Sequence, residues 1–152
     1  MISNAVHRSK AYEDTLQTLG GPNSKMFPTL RDALSFAAAL GYREGRRWKF
    51  DEKVGREDIQ AQIYNGNDAI DLIFAIGLAE AKSAEILKPN NEKECIEIFE
   101  EYANGGLALL TEWIEEYADV DVDVAIWRGL KTINFVPEAE ASDADIASSI
   151  EF

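Results

Sequence analysis

One cysteine and one histidine in 152 residues leave little material for covalent or metal chemistry. Cys95 has no second cysteine for an internal disulfide, excludes a cysteine-rich zinc site and fits a reducing compartment. It lies in a stretch dense in carboxylates, whose charge raises a thiol's pKa, the reverse of what a nucleophile needs, so it reads as a core residue. Any pairing of serine or cysteine with histidine would have to recruit His7, near the start of the chain. Long apolar runs are missing too. A membrane helix needs about 20 apolar residues, and the best stretch, Ala69 to Ala81, is interrupted by Asp71 and Glu80. The opening Met1–Arg8 lacks the basic-then-apolar order of a secretory signal. These absences predict a soluble cytoplasmic protein with no membrane partner and no cofactor.

Positive charge is scarce beyond the first third. The chain carries 15 Lys and Arg against 28 Asp and Glu, a net charge of −13. Residues 1–56 are net +4, residues 57–88 net −4, residues 89–125 net −10 and residues 126–152 net −3. Such a chain repels bulk nucleic acid unless its basic first third faces the polymer, and net negative charge also serves solubility alone. A hydrophobic fraction of 46% belongs to a globular protein of about one domain.

Helical periodicity dominates what is present. Residues 1–20 read as a modest helix with a fraying start, stopped at Gly20-Gly21-Pro22-Asn23. Thr29 is an N-cap for a helix whose apolar positions are Leu30, Ala33, Leu34, Ala37 and Leu40, with Gly41 placed to end it. Ile59 and Ile63 favour a helical turn. Asp68 is the expected cap of the most hydrophobic helix, running to about Leu87, and its wide apolar face predicts a place in the middle of a bundle. Asn91 caps a further helix that Asn104-Gly105-Gly106 interrupts, giving either a kink or two helices at a sharp turn. The expected fold is mainly α: a compact bundle of about five or six helices, with a short strand pair near 46–50 and 124–135 left open. The expected organisation is an N-terminal helix and breaker (1–24), a helical core domain (25–136) and an acidic flexible tail (137–152).

Three constellations bear on function. Glu97, Glu100 and Glu101, then Glu112, Glu115 and Glu116, recur at spacings that share helix faces. They lack the Glu-x-x-His ligands of a di-iron bundle, and the Asp119, Asp121, Asp123 alternation lacks the rest of a calcium loop. No metal site is therefore expected; a solvated acidic face is, with Glu101, Glu112, Glu115 and Glu116 as candidate partner-binding residues. A carboxylate-metal nuclease remains a third reading. The Gly105-Gly106 pair lacks the lysine and hydroxyl residue of a phosphate loop and reads as a turn needing positive φ. In Tyr42–Arg56, Arg43, Arg46, Arg47 and Lys49 offer phosphate contacts and Trp48 a stacking surface, the alternative being a surface loop anchored by Trp48 in the core.

Two stretches go together: Phe27-Pro28-Thr29-Leu30-Arg31-Asp32 running into Phe36-Ala37-Ala38-Ala39-Leu40-Gly41-Tyr42, and Ile98-Phe99-Glu100-Glu101-Tyr102-Ala103-Asn104-Gly105-Gly106-Leu107. They resemble the small proteins encoded beside bacterial DNA phosphorothioation (Dnd) genes, the Dnd system-associated proteins, over residues 25–135. The resemblance implies a setting more than a mechanism. Phosphorothioation replaces a backbone oxygen of DNA with sulfur, and linked restriction proteins attack unmarked DNA, a form of phage defence. It implies a non-catalytic accessory or regulatory subunit whose partners are other proteins of such a system, with DNA contacted directly or through one of them.

Overall fold

The computed structural model describes residues 2–55, 59–65 and 68–135. Its helices are α1 (Glu13–Leu19), α2 (Leu30–Arg43), α3 (Ala61–Tyr64), α4 (Ala69–Ala81), α5 (Glu92–Glu116) and α6 (Val122–Thr132), with single 3-10 turns at Lys10–Tyr12, Ala84–Leu87 and Pro89–Asn91. The protein is mainly helical, as expected. The chain divides into two units, 1–111 and 112–152. The expected acidic tail at 137–152 lies outside the described residues.

In the first unit α5 is the central helix, and every residue from Glu101 to Leu110 is buried. The sequence expectation put α4 there. Only Ile73, Ile76 and Gly77 of α4 are buried, and Leu78 is 40% exposed. α4 also stops at Ala81, where Lys82 turns the chain with φ 54°, short of the expected Leu87. Asp68 makes no side-chain cap bond. Thr29 does: its hydroxyl accepts from the Asp32 N–H at 3.1 Å.

Glycines set how closely the helices meet. An added Cβ at Gly106 would lie 1.8 Å from the Ala37 carbonyl oxygen, and at Gly41 2.0 Å from that of Tyr102. α2 and α5 therefore cross backbone to backbone. Gly77 lets α4 meet the Cys95 sulfur in the same way; there a Cβ would sit 2.4 Å from Sγ. The Asn104-Gly105-Gly106 run is thus no turn between two helices. α5 passes through it unbroken, and neither glycine has positive φ. Gly41 likewise lies inside α2, and the positive φ belongs to Gly45 at 68°.

The N-terminal segment is not frayed. Val6 is fully buried and bonds Ile59 in both directions, N to O at 2.9 and 3.2 Å, while Ser9 bridges Lys53. These are isolated bridges. No strand forms among the described residues, so the strand pair left open near 46–50 and 124–135 is absent: residues 46–50 have no regular secondary structure and Val122–Thr132 is α6. In the second unit, Gly129 of α6 packs on the Trp113 ring, and Arg128 and Lys131 lie over the rings of Tyr117 and Trp127 at 5.7 and 5.9 Å.

Candidate functional site

The chain from Arg46 to Val54 threads between α5 and the N-terminal segment, and two bonds seat the Trp48 backbone on α5. The Trp48 N–H donates to the Glu101 carbonyl at 3.1 Å, and Asn104 Nδ2 donates to the Trp48 carbonyl at 2.9 Å. Gly105 makes room, since a Cβ there would sit 1.8 Å from the Arg46 carbonyl oxygen. The Asn-Gly-Gly run thereby doubles as the seat of the basic segment.

That seat decides what each basic residue has to offer. Arg47 Nε donates to Glu101 Oε1 at 2.7 Å and its Nη1 to Glu80 Oε1 at 3.1 Å. Tyr102 closes the network by donating its hydroxyl to Glu80 Oε2. Burial first, then the bond to Glu80, pushes the Tyr102 phenol up to about 12. Chiefly that same bond, then Arg47, holds the Glu80 carboxyl below its ordinary value despite some burial. Arg43 pairs with Glu44 at 2.9 Å. Arg46 lies over the Trp48 ring, 4.8 Å from its centroid. Trp48 is 42% exposed and is no core anchor; Lys49 is exposed. Beside them a cleft of about 600 Å³ is lined by Lys10, Tyr12, Trp48, Lys49, Phe50 and Asn104, with the acidic Asp51 and Glu52 on its wall as well.

Behind the segment lies a second cleft, about 420 Å³, with His7, Phe50, Lys53, Lys93, Glu97 and Glu100 on its walls. Glu100 is buried and accepts from the His7 backbone N–H. Glu92 fastens the N-terminal segment further up, accepting from the backbone N–H groups of Ser3 and Asn4 at 3.1 Å. Burial alone would raise the Glu92 carboxyl; the bonds from Ser3 and Asn4 together outweigh it and leave the group below its ordinary value. Sequence spacing could not have assembled this cleft, because its walls come from three stretches far apart in the chain, residues 4–7, 50–53 and 93–101. Among the described residues no three His, Cys, Asp or Glu side chains come together as a metal site. Burial, then the charges of Glu92 and Glu94, push the Cys95 thiol up.

The candidate carboxylates separate. Glu101 is 4% exposed, with its carboxylate on Arg47, so it takes no part in an exposed face. Glu112, Glu115 and Glu116 in the second unit are exposed, as are Asp119, Asp121 and Asp123. Over 112–123 there is no Lys or Arg.

A family model described as DNA sulphur modification system-associated protein 4 matches residues 5–146. No curated protein and no solved structure matches the chain. No helix of the described residues is long and apolar enough to cross a membrane.

Proposed function

The chain belongs to the family of DNA sulphur modification system-associated protein 4, and from that premise we propose that it is a non-catalytic accessory or regulatory subunit of a phosphorothioation-linked restriction system. It works by docking on another protein of the system through Glu112, Glu115 and Glu116. The observation that carries this reading is six exposed acidic side chains across 112–123 with no basic residue among them. Charge of one sign over such a stretch steers encounter with a basic partner and sets specificity. It also suits a partner surface that meets DNA, where basic groups gather.

The test is capture of the neighbouring system proteins on the immobilised chain. A complex that weakens as salt rises is expected, with Glu112→Lys, Glu115→Lys and Glu116→Lys together reducing capture at least about tenfold, about 1.4 kcal/mol. Wild-type capture by that triple variant sinks the acidic-face reading. A second reading, direct DNA binding by Arg43, Arg46, Arg47, Trp48 and Lys49, draws support from the exposed Trp48 ring beside an aromatic cleft. Base stacking on such a ring is worth about 1–3 kcal/mol. Gel shifts at low salt should then respond to Trp48→Ala, and no shift at any salt ends that alternative.

A further inference from the structure

α4 is more apolar than α2, α5 or α6, yet it is not enclosed. Ile73, Ile76 and Gly77 take the side that meets the rest of the first unit. At about 3.6 residues per turn the opposite side carries Asp71, Leu72, Ala75, Leu78 and Ala79, and Lys82 follows at its C-terminal end, where the chain turns. All but the half-buried Leu72 are exposed. Leu87, on the 3-10 turn that packs against α4, is exposed as well. This stripe is apolar along its middle, acidic at its N-terminal end and basic at its C-terminal end.

We propose that the stripe is covered by α4 of a second copy of the chain, running antiparallel about a twofold axis. The order of charges selects this occupant. Antiparallel pairing brings Asp71 of each copy to Lys82 of the other, and both contacts form at once because a twofold interface is self-complementary. A parallel copy would set acid on acid and base on base. The same register lays Leu78 over Ala75 of the second copy and the reverse, so a large side chain meets a small one at both places. Ala75 and Ala79 let the helix axes approach to about 8 Å. Antiparallel helices also bring opposite dipole ends together. One helix face and a neighbouring turn fall short of the roughly 800 Å² per partner of a standard interface, so the dimer dissociates at micromolar concentration.

Sedimentation velocity on the full chain tests this. Wild type is expected to pass from monomer to dimer as concentration rises. Leu78→Glu and Ala75→Glu change exposed positions, so they keep the helical circular-dichroism spectrum and the melt of dilute protein while losing the dimer. Asp71→Lys alone and Lys82→Asp alone each raise the dissociation constant by roughly tenfold or more. A mixture of those two variants, and the double variant Asp71→Lys/Lys82→Asp, regain association, which only the antiparallel register explains. A wild type that stays monomeric at every concentration overturns the proposal. So does a dimer that survives Leu78→Glu, or charge variants that fail to rescue each other.

Discussion

Gly106→Ala is expected to melt well below wild type, although the same change at an exposed helix position stabilises by up to about 1 kcal/mol. The reason lies across the helix crossing. The new Cβ would sit 1.8 Å from the Ala37 carbonyl oxygen and 2.6 Å from its carbon, and both atoms belong to the backbone of α2. No rotamer change relieves such a clash, so α2 and α5 must part along a seam that includes Gly41 and Tyr102. Overpacking a well-filled contact costs about 1–3 kcal/mol, and a clash with backbone falls at the upper end. For a chain of this size about 3 kcal/mol lowers the melting temperature by roughly 6–12 °C. Gly55→Ala is the control, since nothing lies within 4 Å of a Cβ there. Scanning calorimetry of the two variants beside wild type decides it. A Gly106→Ala protein that melts with wild type or above it would show that the crossing is not tight.

The same glycines mark where sequence reading reached its limit. Glycine signals a left-handed turn and a close approach with equal force, and only a contact far along the chain tells them apart. The partners of Gly105 and Gly106 are Arg46 and Ala37, roughly 60 and 70 residues away, so the run read as a break. Thr29 was legible because its cap bond spans three residues. α4 was legible as a helix but misplaced, because an apolar surface looks the same whether it faces the protein's own core or is left uncovered. The helix that does take the centre, α5, is studded with carboxylates, and two of them, Glu100 and Glu101, are buried. Their charge argued for a surface. What reverses the argument is hydrogen bonding from Arg47 and from the His7 backbone, set by the path of segments distant in sequence. The exposed acids of 112–123 needed no such partner to be found, and they are the part of the candidate site that composition alone picks out.

Arg47→Ala is expected to cost about 2–3 kcal/mol of stability, and to do so before any question of DNA arises. The change removes the guanidinium from Glu101, a carboxylate only 4% exposed, and a buried charge stripped of its partner loses far more than a surface pair is worth. Arg47 itself is about one-third exposed, which keeps the figure below that of a fully buried pair. Glu101→Gln in the Arg47→Ala background should recover part of the loss, because a neutral amide tolerates the site better than an unpaired carboxylate; urea titrations of both variants measure it. The pH dependence has a definite sign. The folded protein holds the Glu80 carboxyl below its ordinary 4.5, so this group's contribution is present above that value and disappears as pH falls through the lowered one. Tyr102 is the main cause and Arg47 a further one, so the variant retains a smaller contribution and the gap between the two proteins should narrow below pH 4.5. Glu13 and Glu92, which other partners hold below their ordinary values, weaken both proteins alike in acid. If Arg47→Ala unfolds at the wild-type urea concentration, the guanidinium does not hold Glu101.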